Sequence, residues 1–108
     1  MKRIVGLAFA VLWLIVGCSS NNIAGDYLIT SSPGGEFDNE IMHVHLQSYS
    51  ITIVMPDGDA IRFQQQGKNE YDAIDDNGVY IATFYQNTLT IFIDTVRDGK
   101  MYMYCKKL

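Results

Sequence analysis

From residue 24 to residue 108 the chain alternates apolar and polar residues with a period of two, and no segment there carries the 3.6-residue spacing of an amphipathic helix. The alternation predicts eight strands, over residues 24–30, 40–46, 49–55, 60–66, 68–74, 79–85, 88–94 and 100–107. In the second strand Met42, Val44 and Leu46 share one face while Ile41, His43 and His45 share the other. In the third, Ile51, Ile53 and Met55 oppose Ser50, Thr52 and Val54. Turn residues punctuate the pattern at Ser31-Ser32-Pro33-Gly34-Gly35, Pro56-Asp57-Gly58-Asp59, Asn77-Gly78, Gln86-Asn87 and Arg97-Asp98-Gly99. Short strands joined in sequence by tight turns describe an all-β antiparallel meander. A closed barrel is favoured over a sandwich because closure removes exposed sheet edges. The expected core is Met42, Val44, Ile51, Ile53, Ile61, Phe63, Leu89, Ile91 and Ile93. With inward residues this large, an eight-stranded interior is expected to be filled by its own side chains.

The first 22 residues have a different character. Lys2 and Arg3 precede an apolar run from Ile4 to Val16, long enough for a signal-peptide core and shorter than the ~20 residues of a membrane-spanning helix. The run ends in Ile15-Val16-Gly17-Cys18, followed by the polar Ser19-Ser20-Asn21-Asn22. This stretch resembles the lipobox of bacterial lipoproteins. The resemblance implies cleavage before Cys18 and a lipid on its sulfur. Ser19, in place of the aspartate that retains such proteins at the inner membrane, implies the outer membrane, with the domain facing the periplasm or the cell surface. The expected organisation is a signal peptide over 1–17, a lipidated tether over 18–22 and one β domain over 23–108.

Removal of residues 1–17 leaves all twelve acids and six of the eight bases, a side-chain balance of −6. Such a surface repels nucleic acid and suits a basic partner. With Cys18 acylated, Cys105 has no cysteine to pair with and reads as a small buried hydrophobe.

Two further resemblances involve the β region. Gly25-Asp26-Tyr27 is similar to the Gly-x-Trp opening of lipocalin-type barrels, and residues 98–106 are similar to the closing strand of bacterial lipocalin-like domains; this likeness implies a small apolar ligand. The run from Asp76 to Tyr85 looks like the central hairpin of the membrane-bound inhibitors of c-type lysozyme, which are lipoproteins with eight-stranded barrels. The stretch nearest to their Ser-Gly-x-x-Tyr inhibitory motif is Gly67-Lys68-Asn69-Glu70-Tyr71.

Catalytic motifs do not emerge. There is no Gly-x-Ser-x-Gly elbow, no His-Glu-x-x-His and no phosphate-cradling glycine loop. His43 and His45 share a strand face at about 7 Å, but Glu40 lies on the other face, and a third metal ligand would have to come from a neighbouring strand or the 36–38 loop. Residues 72–78 are acidic yet lack the ligand order of an EF-hand, and a hairpin turn explains them. A non-enzymatic protein without metal or cofactor is expected.

The positive signal is aromatic. The sixth strand is apolar on both faces, Phe92 sits opposite the core face of the seventh, and Tyr102 and Tyr104 share parity with Lys100 and Lys106. Tyr80, Phe92, Tyr102 and Tyr104 are therefore the candidate contact residues for an envelope or foreign protein, on the outside of the sixth to eighth strands.

Overall fold

The computed structural model describes residues 23–108; the leader, Cys18 and the polar spacer lie outside the described residues. Eight strands follow one another: β1 (Gly25–Ser31), β2 (Ile41–Leu46), β3 (Ser50–Val54), β4 (Ala60–Gly67), β5 (Glu70–Asp75), β6 (Gly78–Tyr85), β7 (Thr88–Thr95) and β8 (Gly99–Lys107). Each pairs antiparallel with its sequence neighbours, and β1 pairs with β8, so the sheet closes into a barrel without a free edge. This is the meander barrel that the alternation predicts. Inward side chains form one cluster containing Met42, Val44, Ile51, Ile53, Phe63, Leu89 and Ile91.

Two turns differ in detail from expectation. The fifth strand starts at Glu70, with Lys68-Asn69 as the turn before it, because a bulge between Gln65 and Gly67 absorbs an extra residue and carries β4 further. The β5–β6 turn is Asp76-Asn77, and Gly78 already pairs with Asp75. The Asp75 carboxylate orders that turn by accepting the backbone N–H groups of Asn77 and Gly78 at 2.8 and 3.1 Å. Gly78 meets a different demand, because a Cβ there would stand 2.2 Å from the Asp94 carbonyl oxygen on β7.

The two ends of the barrel are unlike. At the end where β1 begins, Phe84 meets Tyr27 and Tyr71 edge-on, with ring centroids 6.0 and 5.9 Å apart. The Tyr27 hydroxyl donates to the Ile23 carbonyl at 2.8 Å. Ile23, Tyr27, Tyr71 and Phe84 are all buried, so this end is plugged. The β2–β3, β4–β5 and β6–β7 turns share it.

The opposite end gathers the 32–40 loop and the β3–β4, β5–β6 and β7–β8 turns. There Asp38 Oδ1 accepts both the N–H and the hydroxyl of Ser32 at 2.8 Å, and the Ser32 hydroxyl oxygen accepts the Phe37 N–H at 2.9 Å. This clamp holds Phe37 against the core. The Val96 N–H reaches the Asn77 carbonyl at 3.0 Å and joins two of the turns.

Cys105 is buried opposite Ile29 and Leu89. Burial pushes its thiol from 9.0 up to about 12. Burial, with the neighbouring Cys105 as the smaller cause, pushes the Tyr27 phenol from 10.0 up to about 12. Below about pH 8 both groups are protonated in the folded and unfolded chain alike. Between roughly pH 9 and 12 the unfolded chain releases protons that the folded chain keeps, so stability falls as pH rises. Cys105→Val removes one of these groups, and the stability lost between about pH 8 and pH 11 should shrink relative to wild type. Denaturant melts at the two pH values measure this, and an unchanged difference contradicts it.

Candidate functional site

The outside of β6–β8 carries an aromatic ladder whose register follows from strand pairing. Ile81 on β6 pairs with Phe92 on β7, which pairs with Tyr102 on β8. Cross-strand partners on one face have Cβ atoms about 5 Å apart, so the side chains meet. The Phe92 and Tyr102 ring centroids are 5.2 Å apart, and Tyr102 and Tyr104 stack at 6.1 Å with planes 11° apart. Tyr102 is 52% exposed and Tyr104 47%. On the inner side of β8, Met103 and Cys105 are buried, so the ladder lies on the opposite face from the core.

Tyr80 does not belong to this face. It shares parity with the buried Ala82 and Phe84 and pairs with Ala73 and Ile93 inside the barrel. The sixth strand is apolar on both sides, so its alternation leaves the inner face undefined, and the expectation of an outward Tyr80 is corrected. Ile81 takes the outer position instead. The row continues to Asp72, which pairs with Ile81 and whose Oδ1 is buried without a hydrogen-bond partner.

A second feature was not anticipated. At the end opposite the plug, the inner residues Met55, Ile61, Tyr80, Ile93 and Met101 are only partly buried, whereas Ile53, Phe63, Ala82, Ile91 and Met103, two residues deeper on the same strands, are buried. The barrel therefore opens there into a well of about 730 Å³. Ile61 and Ile93, expected in the core, line this well as half-buried residues. Around it stand Glu36, Asp57, Asp59, Asp75 and Asp98, with no Lys, Arg or His in the lining. Burial, and next the Asp75 charge, raise the Tyr80 phenol above its ordinary value. The signal for this rim was present in the sequence. In a meander, alternate turns fall at one end, and acids occupy every alternate connection from 32–40 onward, while the turns at the other end hold none.

His43 and His45 point outward from β2 as expected. His43 Nδ1 lies 2.6 Å from Asp26 Oδ1 on β1, an exposed pair that tethers the two strands. Among the described residues no three His, Cys, Asp or Glu side chains are grouped to hold a metal ion. Cys18, the candidate lipidation site, lies outside the described residues.

These features define a small closed β-barrel with one plugged end, one open acidic end and an exposed aromatic strip on its wall. Comparison with protein families, with curated proteins and with solved structures finds no match, so no relative lends this barrel an activity.

Proposed function

We propose that this chain is an outer-membrane lipoprotein, anchored by a lipid on Cys18, whose barrel is a non-enzymatic binding module for a protein partner. The observation that carries the reading is the ladder on the barrel wall, in which Tyr102 and Tyr104 are exposed and stacked on each other and the half-buried Phe92 packs against Tyr102. Rings in that position gain from desolvation only when another surface covers them, and tyrosine supplies a broad, stiff contact with a polar edge. The chain enters at the plugged end, so a tether leaving there sets the acid-rimmed mouth away from the bilayer.

Tyr102→Ser combined with Tyr104→Ser tests the reading. The thermal midpoint should stay within a few degrees of wild type, because exposed substitutions away from the core cost little. Recovery of the partner from envelopes by chemical crosslinking should fall several-fold, since central aromatic contacts carry most of an interface's energy. An unfolded variant would make these tyrosines part of the core, and undiminished capture would remove them from the interface.

A second reading, inhibition of a c-type lysozyme, is favoured by the side-chain balance of −6 from Cys18 onward, which suits a strongly basic enzyme. Lysozyme activity in the presence of the purified protein separates the two readings.

A further inference from the structure

The open end of the barrel is a concave apolar surface that the fold leaves unfilled. Met55, Ile61, Tyr80, Ile93 and Met101 all have the parity of core residues, yet each remains partly exposed. Tyr80, Ile93 and Met101 are consecutive cross-strand partners and form a continuous apolar wall on β6, β7 and β8. Leaving such a wall in water forgoes the stabilisation that a fitting apolar body would supply by covering it. The well, at about 730 Å³, is in the size range of small-molecule sites. Three methionines in its lining, Met55, Met101 and Met103, supply flexible, polarisable contacts that adapt to an irregular body.

Charge selects the occupant. Five carboxylates line the well and no basic side chain does. Asp57 and Asp75 each use one oxygen on backbone N–H groups of their own turns, which leaves the other oxygen of each for a ligand. An anionic ligand would meet several like charges at once. A cationic head above the apolar wall relieves their mutual repulsion, and the Tyr80 ring offers it a π face.

We propose that this well binds a small cationic amphiphile, with an apolar body against Tyr80, Ile93 and Met101 and an ammonium or guanidinium head among Asp57, Asp59 and Asp98. The site is separate from the aromatic ladder, because Tyr80 and Met101 face the interior while Phe92 and Tyr102 face out.

A charge series on one apolar body tests this. Full-length protein with ¹³C-methyl methionine, in a non-ionic detergent, is titrated with 4-phenylbutylammonium, 4-phenylbutanol and 4-phenylbutyrate. The Met55 and Met101 methyl signals should shift saturably with the ammonium. Binding of the neutral alcohol should be at least about tenfold weaker, and the carboxylate should leave the signals in place. Met42, fully buried and outside the well lining, reports that the fold is intact. Asp57→Asn, Asp59→Asn and Asp98→Asn together should weaken ammonium binding about tenfold without changing the alcohol's affinity. Equal affinity for ammonium and alcohol would make the well a neutral apolar site and overturn the proposal. Absence of any Met55 or Met101 shift would overturn it as well, leaving the mouth as surface for a protein's basic side chains or for water. Neither result bears on capture through the ladder, so the two readings fail separately.

Discussion

Phe84→Ala should cost the domain about 3–5 kcal/mol, a large part of the 5–15 kcal/mol that holds a typical domain together. Phe84 is 3% exposed and stands between Tyr27 and Tyr71 in the plug. Truncation removes its buried surface, leaves a cavity at the end of a rigid barrel, and deletes two edge-to-face contacts worth about 0.5–1.5 kcal/mol each. The cavity is slow to collapse because all eight strands are tied into a closed hydrogen-bonded ring. For a domain of this size the thermal midpoint should fall by roughly 12–40 °C. Circular dichroism melts give the answer, and a loss under about 1 kcal/mol would mean that the plug does not hold this end closed.

Cys18→Ala should move the protein out of the membrane fraction almost completely. Two or three acyl chains on one residue each contribute about 0.8 kcal/mol per buried CH₂, which makes release negligible, whereas an acidic barrel without them has little affinity for an anionic bilayer. Among the described residues no helix is long and apolar enough to cross a membrane. Fractionation and intact mass measure the effect. A wild-type mass equal to the unmodified 108-residue chain, or membrane retention of the alanine variant in processed form, would contradict the anchoring.

The strand order, the closure and most of the core were legible because a period of two leaves only one way to bury Ile51, Ile53, Leu89 and Ile91 together. Parity says which side of the sheet a residue faces; it does not say how deep in the barrel it lies. Ile61 and Ile93 have inner parity but sit at the open end, and the expected filled interior holds only for the plugged half. Tyr27 and Tyr71 carry a polar atom and did not register as core, although the Tyr27 hydroxyl is satisfied by the Ile23 carbonyl. Tyr80 was misplaced because Val79, Ile81 and Tyr85 on one side of its strand are as apolar as Tyr80, Ala82 and Phe84 on the other. Phe92, Tyr102 and Tyr104 were legible as an outer group, whereas their stacking depended on the β7–β8 register.

Docking of a protein partner on the β6–β8 wall can be read out by photocrosslinking in intact cells. A photoreactive phenylalanine analogue replaces Tyr102 in one strain and Arg62 in another; Arg62 is exposed on β4, four strands around the closed ring of eight from β8. A discrete crosslinked species is expected from position 102 and none from position 62. Crosslinks of equal strength from both positions, or from position 62 alone, would contradict it.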